Sequence, residues 1–127
     1  MTKKYIGTKI VLAWEQIRYD SPESTTGPLG YAVQYEDGYT SWSPKETFEK
    51  AYRVIERDGQ ALTFGDALYL LKLGNKVERN KWSGEYVCLY DEVGTGRISA
   101  IWCTGEKRIE WVPTTEDMLA EDWQVLP

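Results

Sequence analysis

The stretch 62–74, LTFGDALYLLKLG, carries both its own start and its own stop. Thr63 can accept a hydrogen bond from a backbone N–H three residues on, and Asp66 stands at that third position to close the reciprocal bond. Phe64, Ala67, Leu68 and Leu71 recur at helical spacing, so one face of the helix is apolar. Gly74 supplies the left-handed residue that ends it. Beyond Gly74 the pattern changes from helical to alternating. Strands are predicted at about 76–79, 85–91, 97–104 and 107–112, with turns at Gly94 to Gly96 and at Gly105. Pro113 stops the last of these strands. TTEDMLAED reads as a short capped helical turn beginning at Thr114, and WQVL as a closing strand. A single apolar helix followed by short strands must lay its one greasy face on a sheet, which makes this half α+β.

The first sixty residues repeat that economy. YIGTKIVLAW, at 5–14, reads as a strand, and DSPESTTGPL, at 20–29, as a loop. GYAVQYEDGYTSW is a hairpin whose tight turn is Asp37-Gly38. In SPKETFEKAYRVI, Ser43 is placed as an N-cap, Pro44 as the first helical residue and Glu46 as the partner of a capping box, with the helix running to about Arg57. Asp58-Gly59-Gln60 punctuates the chain. Two units are therefore expected, 1–60 and 61–127. The fold class is α+β, with small antiparallel sheets and one main helix per unit. A unit of about 60 residues buries only about 60% of its unfolded surface. Packing of the second unit against the first or against other copies is the expected remedy, and the chain is read as a homo-oligomer.

Composition narrows the function. The net charge of −5 disfavours duplex nucleic acid and anionic membranes as partners. No apolar run is long enough for a bilayer, and no signal peptide is seen. Histidine is absent, which removes the commonest general base and neutral metal ligand. Cys88 and Cys103 fall on separate predicted strands, where they are small buried hydrophobes kept reduced in a cytoplasm. No nucleophile elbow, phosphate-cradling loop or metal cluster is present in the sequence, so no cofactor and no catalytic residue is assigned. The adjacent acids Glu116/Asp117 and Glu121/Asp122 read as solvated helix ends.

Binding is better served. Six Trp and nine Tyr stand against two Phe, and rings with a polar edge favour interfaces and wet pockets. Trp82 lies in a polar turn beside Arg79, Asn80 and Lys81. A ring in that setting can stack on a nucleobase while its neighbours hold phosphate. Trp111 ends a strand just before the capped turn at Thr114, whose N–H groups suit an anion. Asp117 and Asp122 can accept from ribose hydroxyls or base amines. Trp123, in a closing strand, is read as core.

These letters also resemble a known family. LTFGDALYLLKLGNKVERNKWSG, an extended middle, and EWVPTTEDMLAEDWQVL are similar to the second type of phage Thoeris anti-defence protein. Phe64, Ala67, Leu68, Leu70, Leu71, Gly74, Val77, Arg79, Trp82 and Gly84 carry the first part of the likeness. Trp111, Asp117, Leu119, Ala120, Asp122 and Trp123 carry the second. YIGTKIV with GYAVQYEDGYTSWSPKETFEKAYR resembles N-terminal modules found on such phage proteins. The resemblance implies a non-enzymatic sponge for cyclic ADP-ribose signals of TIR enzymes, and for cyclic dinucleotides of CBASS in some relatives. It implies homotetramers with pockets at subunit interfaces, working in the cytoplasm of the infected host. On this likeness Trp82 stacks on adenine, and Trp111, Asp117 and Asp122 line the pocket. Phe64, Arg79, Lys81 and Thr114 complete the candidate set. A protein-binding inhibitor of a defence effector, and a hydrolase of the signal, are the competing readings.

Overall fold

The computed structural model describes residues 2–18, 27–55 and 61–127. It divides into two compact units, Met1–Tyr52 and Arg53–Pro127. It is α+β, with two small antiparallel sheets and three short helices among the described residues. The expected loop at 20–29 falls largely outside the described residues, as do the expected helix end at Arg57 and the break at 58–60.

In the first unit β1 (Leu12–Ile17), β2 (Leu29–Gln34) and β3 (Thr40–Pro44) form a sheet in that order. The Asp37-Gly38 turn closes the second hairpin, with Gly38 at φ 90° and the Tyr35 N–H donating to the Tyr39 carbonyl. The first strand lies later than predicted. Leu12 pairs with Gln34, and β2 then turns away at Tyr35, so residues 5–11 have no ladder partner there. Val33 and Ala32 are buried. Gly30 is a position of close approach: a Cβ there would stand 2.2 Å from the Ser43 carbonyl oxygen and 2.4 Å from the Trp42 ring.

The capping box expected at Ser43 and Glu46 does not form. Ser43 pairs with Tyr31 and Pro44 with Gly30, which holds both extended. Helix α1 (Lys45–Ala51) therefore starts after Pro44 and has no side-chain cap. It ends at Ala51, short of the predicted Arg57, because Tyr52 is extended. What holds α1 is a row of rings: Tyr31 stacks on Phe48 at 4.3 Å and Phe48 on Tyr52 at 4.8 Å. The Tyr31 hydroxyl donates to Glu49.

In the second unit α2 (Phe64–Lys72) has the start and stop written in its letters. Thr63 and Asp66 form the reciprocal capping box. At the other end Gly74 N–H donates to the Leu71 carbonyl and Asn75 N–H to that of Leu70. This is the Schellman pattern, and Gly74 at φ 95° makes it possible. The buried stripe is Ala67, Leu70 and Leu71. Leu68, predicted to face inward, is exposed and Leu70 takes its place.

The sheet runs β7 (Lys107–Glu110), β6 (Arg97–Thr104), β5 (Tyr86–Glu92), β4 (Val77–Arg79), β8 (Trp123–Val125). The last strand of the chain pairs antiparallel with β4, setting Trp123 opposite Arg79. Leu62, Leu70, Leu71, Val77, Val87 and Trp123 form the core beneath α2. Cys88 faces Ile101 and Cys103 faces Tyr86, so the cysteines are diagonal neighbours with free thiols. Burial pushes the Cys88 thiol up, helped by Cys103.

Replacing the cap by Thr63→Ala should lower unfolding stability by about 1 kcal/mol. Equilibrium urea denaturation followed by tryptophan fluorescence measures it. A midpoint equal to wild type would show that the cap contributes nothing.

Candidate functional site

The site is built from the turn after β4, the approach to helix α3 (Thr115–Leu119) and the start of β8. Trp123 is its hub. Fully buried, its ring meets Trp82 at 5.5 Å and Trp111 at 6.0 Å, both nearly perpendicular. Phe64 lies 5.7 Å away, tilted. Trp82 and Trp111 touch edge-on at 6.5 Å. Edge-to-face contact sets the positive rim of one ring on the negative face of another, which adds about 0.5–1.5 kcal/mol per pair beyond burial. The Trp123 Nε1–H donates to the Asp117 carbonyl at 2.9 Å, so its one polar atom is satisfied. Phe64, Trp82 and Trp111 are only partly buried. Those three can meet a ligand, and Trp123 cannot.

Beside the rings lies a charge network. Val77 and Arg79 alternate on the same side of β4 and both are buried. Arg79 is 5% exposed, and a guanidinium so placed requires carboxylates. Asp117, 7% exposed, accepts from its Nη1 at 2.8 Å. Asp122 accepts from its Nε. The guanidinium also lies 5.8 Å from the Trp123 ring centre. Hydrogen bonds to Asp122 hold the Arg79 pKa above its ordinary value, against burial, with Asp117 adding to the effect. Burial alone would raise the Asp117 carboxyl. The Thr114 N–H and hydroxyl, together with Arg79, outweigh it and hold the group below the usual carboxylate range.

Thr114 and Asp117 form a second reciprocal capping box, so the Thr114 and Asp117 N–H groups are occupied within the chain. Lys81 pairs with Glu116, both well exposed, and such a surface pair exchanges readily. The structure thus brings all eight sequence-selected residues into one region but divides them by role. Trp82, Trp111 and Phe64 present ring surface, and Lys81 presents a replaceable cation. Arg79, Asp117, Asp122 and Thr114 spend their hydrogen bonds on one another. Trp123, taken only as core, proves to organise the other rings. The alternation Val77–Arg79 was the legible signal that Arg79 points inward.

Among the described residues no group of three or more His, Cys, Asp and Glu side chains is placed to hold a metal ion. None of the described helices is long and apolar enough to cross a membrane.

This geometry lies inside the stretch that comparison with known families picks out. The model of the Tad2-like family, the Thoeris anti-defense 2-like domain, matches residues 62–126. The chain belongs to that family. A similar curated protein is Thoeris anti-defense 2 of Bacillus phage SP01, 31% identical over 84 aligned residues. The alignment takes in 94% of that phage protein and 51% of this chain. The likeness seen in the Thoeris-type letters at 61–127 therefore holds, and the family match spans Phe64, Trp82, Trp111 and Trp123 alike.

Two outcomes follow from the charge network. Arg79→Ala strands Asp117 as a buried, unpaired carboxylate, and should cost about 3–5 kcal/mol of stability. A denaturation midpoint near wild type would show that the network is dispensable. The acid side gives the second test. Asp66 and Asp117 are both held below their ordinary values, so the unfolded chain takes up these protons first. Their contribution is complete above the ordinary carboxylate range of about 4 and is lost as pH falls through it and below. Thermal melts across that range should fall steeply for wild type and less for Asp117→Asn.

Proposed function

We propose that the chain is a phage anti-defence protein acting against Thoeris immunity as a sponge. It binds cyclic ADP-ribose signals made by TIR enzymes, and by extension cyclic dinucleotides of CBASS, and holds them without cleavage in the cytoplasm of the infected cell. The observation that carries this reading is the aromatic cluster of the family-matched unit, with Trp82 and Trp111 half-buried on a fully buried Trp123. A ring that is locked edge-on by its neighbours keeps a face ready for a flat base, and rigidity before binding lowers the ordering cost. Each stacked base contributes about 1–3 kcal/mol. Nanomolar capture requires about 12 kcal/mol in total, so phosphate contacts must add to the stacking. Lys81 suits that task, released from Glu116 by a more highly charged anion.

Arg79, Asp117, Asp122 and Thr114 are assigned a positioning role: they fix the turn that carries Trp82 to the segment that carries Trp111. The absence of cleavage rests on the family's anti-defence character and on a site dominated by rings. Val112, Met118 and Leu119, exposed around α3, support assembly of this unit into a homo-oligomer, read as a tetramer with pockets at its seams. Residues 61–127 then form the sponge domain and residues 1–60 an accessory module.

Incubation with cyclic ADP-ribose isomers, removal of free ligand, heat denaturation and chromatography tests the proposal. A sponge returns intact ligand. Recovery of a hydrolysis product would replace it with an enzyme, and recovery of nothing would favour a protein-binding inhibitor of a defence effector. Trp82→Ala should weaken capture at least tenfold, the loss of about 1.4 kcal/mol, with circular dichroism confirming that the sheet survives.

A further inference from the structure

We infer that the open edge of β1 is the seam of a second, independent self-association, in which β1 of each copy pairs antiparallel with residues 7–11 of the other about Leu12, with Lys9 of one opposite Glu15 of the other. The inference concerns the first unit and does not rest on nucleotide capture.

The sheet of that unit has two unlike edges. β3 carries Pro44 and runs directly into α1, the usual way of blunting an edge. β1 has no such protection. All six of its residues are exposed, Leu12 at 65% and Trp14 at 48%, and it contains neither proline nor glycine. Among the described residues no strand pairs with its outer side. An open apolar edge of this kind is a template for another strand.

Parity narrows the register, and charge pairing selects among those that remain: of the two-fold centres from Leu12 to Gln16, Leu12 alone sets Lys9 against Glu15. Arg18 N–H donates to the Pro28 carbonyl at 3.0 Å, one step beyond the Ile17–Leu29 pair. Hydrogen-bonded and non-bonded pairs alternate along an antiparallel ladder. The even residues of β1 therefore bond to β2, and Ala13, Glu15 and Ile17 turn their N–H and C=O groups to the open side. A two-fold seam must pair odd residues with odd ones. Centred on Glu15, it would oppose two carboxylates. Centred on Leu12, it sets Val11 against Ala13, Ile10 against Trp14, and Lys9 against Glu15. That register uses residues 8–11, which have no ladder partner among the described residues of their own chain. Ile10 is 45% exposed, and the Lys9 ammonium already lies 4.3 Å over the Tyr35 ring, which keeps this arm beside the sheet. The partner that fits is thus a second copy of the same strand, complementary to itself in hydrogen bonding, apolar contact and charge.

Charge reversal on the full chain tests this, read as mass by light scattering after size exclusion. Lys9→Glu and Glu15→Lys should each halve the mass of the assembly, because each sets like charges across the seam. The doubly reversed chain should recover the wild-type mass. Six residues along a strand span about 20 Å, so rescue cannot arise from a contact within one copy. A single reversal that leaves the mass unchanged would overturn the inference, as would a double reversal that fails to restore it while circular dichroism is native. A wild-type chain that runs as a monomer would also overturn it and leave the edge to a strand of another protein. Cyclic nucleotide capture, measured on the same variants, should stay at wild type, so failure here and failure of the sponge reading are separately visible.

Discussion

A buried guanidinium needs its charge answered, and that need organises the second unit. Arg79 is hydrogen-bonded to Asp117 and Asp122, which lie about forty residues later in the chain. Neither carboxylate is near it in sequence, so the pairing is satisfied only when the chain has returned. Its return places α3 against the turn after β4 and brings β8 alongside β4, with Trp123 opposite Arg79. The interior cannot leave this cation unpaired without a cost of several kcal/mol. The network therefore acts as a registry device for the last strand as much as a source of stability.

The rings inherit their positions from that closure. Trp123 enters the core because β8 is held, and Trp82, Trp111 and Phe64 arrange themselves around it at near-right angles or tilted. Indole faces held in this way cannot collapse on one another. A sheet with one main helix has little interior to spare, and here part of that interior is spent on keeping aromatic surface presentable. This connects the small size of the unit to the binding role proposed for it. Stability and the proposed recognition would draw on the same few side chains.

The first unit is held differently. Its helix has no side-chain cap and no fully buried residue, and it relies on the stacked rings of Tyr31, Phe48 and Tyr52. The Ser43-Pro44-Glu46 letters have the form of a helix start, yet Ser43 and Pro44 belong to the ladder because Gly30 and Tyr31 lie opposite them. A local signal was outcompeted by strand pairing. The same competition moved the first strand from 5–14 to 12–17, since only the later residues have β2 beside them.

What the letters alone determined were the features whose partners lie within a few residues: the box Thr63/Asp66, the capped turn beginning at Thr114, the glycine stop at Gly74, the Asp37-Gly38 turn and the strands between glycines. The family likeness was legible too, since it is carried by the same contiguous motifs. Tertiary structure alone decided which carboxylates answer Arg79, that Leu70 and not Leu68 is buried, and that Trp123 anchors the rings. The physical reason is reach. A capping bond closes across three residues and is the same wherever that turn occurs, whereas an ion pair across forty residues exists only once the whole sheet has chosen its order.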